Sequence, residues 1–144
     1  MAQDQGYFAP CSNLILRTNV AEYLPPLSAE RAALYQAIEY LLSNAIKYAP
    51  NSGELLLAAE KRDEQVVISL RDHGPGIAER DQRQVFDKGF RVKRHGAGQV
   101  KGSGMGLAYV RTAAERHGGR AWCESTVGKG STFFVAVPAA PEKR

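Results

Sequence analysis

The chain has 144 residues and a formal net charge of +4, with 44% hydrophobic and 24% charged residues, a composition typical of one compact globular domain that can bury a core. No apolar run approaches the length of a membrane span, and the first residues lack the basic and apolar regions of a secretory signal. The two cysteines, Cys11 and Cys123, match no metal-ligand spacing. We therefore interpret them as reduced thiols and expect a cytoplasmic protein without direct membrane contact.

The positive charge is concentrated in residues 86–103, which hold five cations against the single anion Asp87 and so account for the whole net charge. A protein that binds nucleic acid usually spreads its basic residues over a face long enough to follow a phosphate backbone. One short basic segment instead favours a compact polyphosphate ligand, and we expect no nucleic-acid partner. The five cations are Lys88, Arg91, Lys93, Arg94 and Lys101.

The first strand is predicted at residues 12–20, after a tail of residues 1–11, and the longest helix at residues 28–49. Asparagine is a poor helix-interior residue, so Asn44 is either a solvated surface residue or a functional one. The apolar stripe of this helix consists of Leu34, Ile38, Leu41, Leu42, Ala45 and Ile46. Because residues three and four apart are neighbours on a helix, a second face is shared by Tyr40, Asn44, Lys47 and Tyr48.

Two strands joined by a polar turn are predicted at residues 54–61 and 65–72, and the second is apolar enough to lie inside a sheet. It ends in Asp72-His73-Gly74-Pro75-Gly76-Ile77. Two glycines around a proline favour a tight turn, which would hold the Asp72 carboxylate as an acceptor above the end of the sheet. The alternative is an ordinary surface turn capped by Asp72. A short helix is predicted at residues 78–85.

A glycine-rich stretch at residues 101–107, Lys-Gly-Ser-Gly-Met-Gly-Leu, leads into a helix predicted at residues 104–117. Backbone N–H groups at such a junction, together with the helix dipole, favour an anion such as phosphate. A flexible turn is the alternative, because three spaced glycines are a weak pattern on their own. Residues 120–126 and 131–137 are then predicted to form a hairpin.

Together these elements predict an α+β fold, a two-layer sandwich in which about three helices cover one face of a mainly antiparallel sheet of about five strands. We expect the domain to occupy residues 12–138, with a C-terminal tail at residues 139–144. Regular alternation of strands and helices is absent, which argues against a doubly wound fold.

Spacing excludes several common sites. Residues 128–131 lack the spacing of a P-loop, and the glycines of residues 101–107 do not follow a strand as they do in a dinucleotide fingerprint. The three histidines, His73, His95 and His117, lie apart, so a zinc site is not expected. No serine or cysteine lies in a recognisable nucleophile motif.

Four segments nevertheless form a consistent ordered set, and their order and separation resemble the catalytic and ATP-binding domain of sensor histidine kinases, within the GHKL group of ATPases. Residues 41–48 resemble the N box and residues 72–77 the first glycine box. Residues 86–90 resemble the F box, and residues 102–107 the second glycine box. Residues 117–119 and 128–133 match the C-terminal part of the same domain. The resemblance covers residues 14–138.

The resemblance implies that the domain binds ATP and Mg²⁺ beneath a mobile lid. Asn44 would be the Mg²⁺ ligand, and Asp72 would accept a hydrogen bond from the adenine amino group. Lys47 and Arg91 would neutralise phosphate oxygens and complete the catalytic set with Asn44. The other nucleotide contacts would come from Tyr48, Gly74, Gly76, Ile77, Lys88, Lys101, Gly102, Ser103, Gly104, Met105, Gly106, Leu107 and Thr132. For Thr132, an ordinary position on a strand surface is an equal alternative.

By the same resemblance, the domain would donate the γ-phosphate of ATP to a histidine on a separate dimerisation and phosphotransfer domain, and so act indirectly on a response regulator. No segment of the chain resembles the phosphoacceptor motif of that family. The domain alone is expected to be monomeric. A serine kinase of the anti-sigma type and a degenerate nucleotide-sensing module of the same fold are the alternatives.

Tyr40 is a departure from the family pattern. Hydrolysing relatives have a water-activating Glu one turn before the N-box Asn, and histidine kinases often have a second Asn there. Glu39 is the neighbour of Tyr40 in sequence but points about 100° away around the helix. We therefore expect slow intrinsic ATP hydrolysis.

Overall fold

The computed structural model describes residues 7–8, 15–27, 29–48, 53–87, 93–94, 98–99 and 106–140. The helices are α1 (Arg31–Tyr48), α2 (Glu79–Gln82) and α3 (Gly106–Arg116), with a 3-10 turn at Gln84–Phe86. The strands are β1 (Tyr7–Phe8), β2 (Ile15–Val20), β3 (Glu54–Arg62), β4 (Gln65–Arg71), β5 (Lys93–Arg94), β6 (Gly98–Gln99), β7 (Arg120–Thr126) and β8 (Gly130–Pro138). The main sheet has the order β1-β2-β3-β4-β8-β7, and β5 pairs with β6 alone.

One pair of neighbouring strands in the main sheet is parallel. β2 and β3 run in the same direction, with Ile15 opposite Glu54 and Val20 opposite Ala59, whereas the other pairs are antiparallel. Parallel neighbours need a long crossover connection, and α1 is that connection. The predicted α+β two-layer sandwich with a mainly antiparallel sheet is confirmed.

The main core lies between the sheet and the helices α1 and α3. Alternate residues of a strand face the same side, so Leu55, Leu70 and Phe133 meet Leu41 of α1 and Val110 of α3 in one buried cluster. None of these five residues is more than 3% exposed. Burying a large apolar side chain contributes roughly 1.5–3 kcal/mol, so this cluster is the main source of stability.

The opposite face of the sheet carries a smaller apolar cluster, in which Trp122 packs against the buried residues Val67, Phe134 and Ala136. The rings of Trp122 and Phe134 are nearly parallel, with centroids 4.8 Å apart and an interplanar angle of 6°. The guanidinium carbon of Arg120 lies 3.9 Å from the centroid of the Trp122 ring. Aromatic and arginine side chains of the sheet itself therefore shield this face from water.

Contacts at two places join α1 and α3. Nδ1–H of His117, just after α3, donates to the carbonyl oxygen of Ala113 at 2.7 Å. Nε2 of the same ring can then accept the backbone N–H of Glu30, 3.2 Å away and just before α1. Farther along α1, the Tyr40 ring lies against Gly106, the first residue of α3. The two helices therefore run in opposite directions, and the C-terminal half of α1 lies beside the start of α3.

Some element ends differ from the predictions. The helix predicted at residues 78–85 is the short α2 followed by the 3-10 turn, and it begins one residue later than predicted because Ala78 has a non-helical backbone with ψ of 144°. The segment predicted as an N-terminal tail contains β1, in which Tyr7 lies opposite Leu16. The domain boundaries at residues 12 and 138 stay predictions. Within the described ranges, no helix has the length and hydropathy needed to cross a membrane.

Candidate nucleotide-binding site

Asp72 follows the last residue of β4 and is only 6% exposed. Its Oδ1 accepts two backbone N–H groups, from Gly74 at 2.9 Å and from Ser131 at 3.2 Å. Its own N–H donates to the carbonyl oxygen of Ser131 at 2.8 Å. A buried carboxylate is costly unless hydrogen bonds compensate it, and these bonds also fix its direction. The predicted tight turn with a held acceptor is therefore present.

The loop after Asp72 (residues 72–77) lies backbone to backbone against the turn between β7 and β8. Gly76 has a φ of +80°, and a Cβ atom there would clash with the backbone oxygen of Thr126. Gly130 has a φ of +101°, and a Cβ atom there would clash with the backbone oxygen of Asp72. The N–H of Gly128 also donates to the carbonyl oxygen of Pro75 at 2.8 Å. Only glycine permits both the left-handed backbone and the close approach.

Two polar side chains that were not among the predicted site residues hold the Asp72 loop in place. Ser125 of β7 accepts the backbone N–H of Ile77 at Oγ, over 2.7 Å. Gln82 of α2 donates its side-chain amide to the carbonyl oxygens of Ile77 and Ser125, at 3.0 and 2.8 Å. Gln82 is 5 residues from Ile77 in sequence, whereas Ser125 is 48 residues away. No local sequence pattern could therefore predict the contact with Ser125.

Cys123 of β7 lies close enough to Asp72 for the two to interact electrostatically. Burial raises the pKa of the Cys123 thiol to about 12, and the charges of Asp72 and Glu124 add to the effect. The thiol is therefore neutral and unreactive at physiological pH. This agrees with the interpretation of Cys123 as a reduced thiol.

Asn44 and Lys47 lie on the C-terminal half of α1, one and two turns beyond Tyr40. Asn44 is half-buried and Lys47 is exposed. Tyr40, Leu107 of α3 and Ile77 of the Asp72 loop all pack against the same main core cluster. Asn44 and Asp72 are therefore carried by segments on the same, helix-covered side of the sheet, as a shared nucleotide site requires.

Comparison with known proteins decides the family. The family described as "Histidine kinase-, DNA gyrase B-, and HSP90-like ATPase" matches residues 29–141 of the chain. The chain belongs to this ATPase family. The match includes α1, the Asp72 loop, α3 and the hairpin of β7 and β8, which are the elements that carry the described candidate residues.

Individual relatives of this ATPase domain include proteins named as sensory kinases and as histidine kinases. The adaptive-response sensory kinase SasA of Gloeothece citriformis (strain PCC 7424) is 36% identical over 127 residues, which are 88% of this chain and 32% of SasA. The solved catalytic domain of histidine kinase ThkA has a TM-score of 0.74 and 25% identity, covering 90% of this chain and 82% of that chain. Full-length ShkA in complex with AMPPNP has a TM-score of 0.76 and 26% identity, covering 91% of this chain and 27% of that chain. The chain spans about a third of the length of SasA.

Thr132 lies opposite Arg71 in the sheet, but its side chain is on the other face from the Asp72 carboxylate. Phe133 faces the helices and Phe134 the opposite side, so strand alternation puts Thr132 on the face away from α1 and α3. The neighbouring Ser131 lies on the helix-covered side, is 6% exposed and contacts Asp72. Sequence reasoning missed Ser131, although its alternation with Phe133, Val135 and Val137 was a usable signal.

The remaining predicted site residues are only partly covered by the structure. Gly74 and Gly76 lie in the Asp72 loop, Gly106 and Leu107 form the first turn of α3, and Tyr48 is the last residue of α1. Seven predicted contacts lie outside the described residues: Lys88, Arg91, Lys101, Gly102, Ser103, Gly104 and Met105.

The donor set fits a magnesium ion that is bound together with its nucleotide. Within the described part of the chain, no group of three or more His, Cys, Asp and Glu side chains forms a metal cluster. Mg²⁺ keeps several waters and takes substrate phosphates as ligands, so one protein oxygen can suffice. Asn44, half-buried on α1, carries a side-chain amide oxygen of this kind.

Proposed function

We propose that this ATPase domain binds ATP with Mg²⁺ and donates the γ-phosphate to a histidine on a separate dimerisation and phosphotransfer domain, which then serves a response regulator. The observation that carries this proposal is the buried Asp72 carboxylate, held by two backbone N–H groups. It lies on the side of the sheet that also carries Asn44. Histidine kinase relatives support the type of reaction, and the AMPPNP complex of ShkA supports the ligand.

Each end of the nucleotide is assigned to different residues. Asp72 accepts a hydrogen bond from the adenine amino group, because a carboxylate offers acceptors only. Asn44 ligates Mg²⁺, which neutralises phosphate charge when it is bound, and Lys47 and Arg91 neutralise further phosphate oxygens. Tyr48, Ile77 and Leu107 line the nucleotide pocket, and Gly74 and Gly76 permit a close approach to the base. The cationic and glycine-rich contacts to the phosphates are Lys88, Lys101, Gly102, Ser103, Gly104, Met105 and Gly106.

Positioning and charge neutralisation account for most of the catalysis of phosphoryl transfer, and this set of residues is suited to both. Among the histidines, the His117 ring is engaged through both nitrogens in joining α3 to α1. No segment of the chain resembles the phosphoacceptor motif of histidine kinases, so we assign the phosphoacceptor histidine to the partner domain. A cytoplasmic location, where ATP is available, is part of the same proposal.

Titration of ATP and Mg²⁺ into the purified chain tests binding, because a ligand that binds only the folded state raises the melting temperature. Mixing the chain with a separately purified acceptor domain and radiolabelled ATP then tests transfer. The expected product is labile in acid and stable in base, as phosphohistidine is. A base-labile, acid-stable product would indicate serine phosphorylation, and no rise in melting temperature with ATP would contradict the proposal as a whole.

A further inference from the structure

Ser125 lies on the edge strand β7, directly opposite Ser131 of β8, and is outside the residues assigned to the nucleotide above. Its Oγ accepts the backbone N–H of Ile77 at 2.7 Å and donates to the carbonyl oxygen of Gly130 at 2.9 Å. It also lies 2.7 Å from Oγ of Ser131. One hydroxyl group therefore contacts both the Asp72 loop and the strand beside it.

The direction of the hydrogen bond between the two serines follows from counting protons. Ser125 has a single hydroxyl proton, and the carbonyl of Gly130 can only accept. That proton is used for Gly130, so the hydroxyl of Ser131 donates to Ser125. The oxygen of Ser131 keeps its lone pairs. The N–H of Ser131 donates to Oδ1 of Asp72 at 3.2 Å. The hydroxyl oxygen of Ser131 and the carboxylate of Asp72 are therefore two neighbouring acceptors on buried residues.

We propose that Ser125 is a positioning residue that sets the base specificity of the site, because it holds the Ser131 hydroxyl in the direction that makes its oxygen an acceptor. This inference rests on the proposed function, in which Asp72 receives the amino group of adenine. Adenine has an amino donor where guanine has a carbonyl acceptor. A Ser131 hydroxyl turned toward Ser125 has no proton to offer that carbonyl.

Gln82 supports this contact from α2. Its side-chain amide has two N–H donors, one given to the carbonyl of Ile77 at 3.0 Å and one to that of Ser125 at 2.8 Å. The N–H of Ile77 is bonded by Ser125 and its carbonyl by Gln82, so residue 77 is held from both sides. The hydroxyl of Ser125 is thereby kept at a fixed distance from the Asp72 loop.

The test compares the affinities for Mg·ATP and Mg·GTP, measured by calorimetry on the whole chain. The variants are Ser125→Ala, Ser125→Thr and Ser125→Val. Thr keeps the hydroxyl, whereas Val replaces it by a methyl group of similar shape, so this pair isolates the hydrogen bonds. We expect the ratio of ATP to GTP affinity to be retained in Ser125→Thr. The ratio should fall in Ser125→Ala and Ser125→Val, because a released Ser131 hydroxyl can donate a hydrogen bond to guanine. A fall of about fivefold corresponds to the free energy of one ordinary hydrogen bond.

A control for general loss of stability is Trp122→Leu, since Trp122 packs on the opposite face of the sheet, and its ratio should equal that of the unchanged chain. An unaltered ratio in Ser125→Val, or a lowered ratio in Trp122→Leu, would overturn the role of Ser125. Absence of ATP binding in the unchanged chain would instead overturn the proposed function. If the Ser125 variants do not fold, Ser131→Ala, which removes the second acceptor, must lower the ratio or the inference fails.

Discussion

The ring of Tyr40 lies directly against Gly106: a Cβ atom added at Gly106 would be only 2.9 Å from Cδ1 of Tyr40. The same ring contacts Tyr109 one turn later, with centroids 5.3 Å apart and an interplanar angle of 55°. Tyr40 belongs to the helix that carries Asn44, and Gly106 is where the glycine-rich stretch meets α3. Because Gly106 has no side chain, α1 and α3 can approach each other closely at this point.

This contact predicts strong coupling between the two positions. Gly106→Ala should destabilise the domain by about 1 kcal/mol, because the clash with the Tyr40 ring outweighs the gain in helix propensity. In a Tyr40→Ala background the same change should be neutral or stabilising, which gives a coupling free energy of about 1–2 kcal/mol. Urea denaturation of the four proteins measures this coupling, and additive effects would contradict the contact.

Asn44→Ala should abolish the Mg²⁺-dependent part of ATP binding without unfolding the domain. Alanine is the better helix former at a half-buried helix position, so the melting temperature should be unchanged or slightly raised. ATP affinity should fall at least about tenfold with Mg²⁺ present and stay the same in EDTA, since the amide oxygen is assigned to the metal. Ser43→Ala, the neighbouring position about 100° around the same helix, is the control, and an equal loss there would contradict the assignment.

Intrinsic ATP hydrolysis should be far slower than an ordinary enzyme turnover of about 10 per second. The position at which hydrolysing relatives carry a Glu is filled by the Tyr40 ring, which packs on Gly106. Glu39 is exposed on another part of the helix. Release of inorganic phosphate, measured without an acceptor domain and at saturating Mg·ATP, checks this. Turnover near the ordinary rate would show that another residue activates water.

Trp122→Ala should destabilise the domain without changing ATP affinity. Removal of the ring uncovers Phe134 and leaves Arg120 without its stacking partner. Because Trp122 is only partly buried, we expect a loss of about 2 kcal/mol, less than for a fully buried aromatic residue. Denaturation and ATP titration of the same samples test both statements. Tyr23→Ala, at a residue 87% exposed, should change stability by less than about 0.5 kcal/mol.

Stability should fall as the pH rises from about 9 to 12, in part because of Cys123. Its pKa is raised from 9.0 to about 12 in the folded chain, so the unfolded chain loses the thiol proton first. The contribution is complete below pH 9 and decreases above it, by at most about 1.4 kcal/mol per pH unit. Cys123→Ala should flatten the slope of unfolding free energy against pH, measured in a Cys11→Ser background. Identical slopes for the two proteins would contradict the raised pKa.

Much of the fold followed from periodicity. The apolar stripe of α1 has helical spacing. The apolar run of β4 is short, rich in β-branched residues and bounded by turns, which together favour a buried strand over a helix. The parallel pairing of β2 with β3 was beyond that reasoning, since pairing depends on contacts between residues far apart in sequence. The boundaries of short elements were also less accurate. The helix predicted at residues 78–85 is divided into α2 and a 3-10 turn, and no strong local signal marks that division.

The candidate site was predictable where its residues follow one another in sequence, as in the Asp72 loop. It was not predictable where a single side chain from a distant element joins the loop, as Ser125 does at Ile77. For Thr132, the sequence left a nucleotide contact and an ordinary strand-surface position open. Deciding between them needs the two-residue period of a strand, in which a shift of one residue moves a side chain to the other face of the sheet.

His117 has no part in the chemistry proposed here, yet its ring ties the end of α3 to the beginning of α1. The Tyr40 ring ties the same two helices near the start of α3. Because these two contacts lie at opposite ends of α3, they resist sliding of one helix along the other. A displacement of α1 by a docking partner would thus carry the first turn of α3 with it, and the pair would respond as one lever.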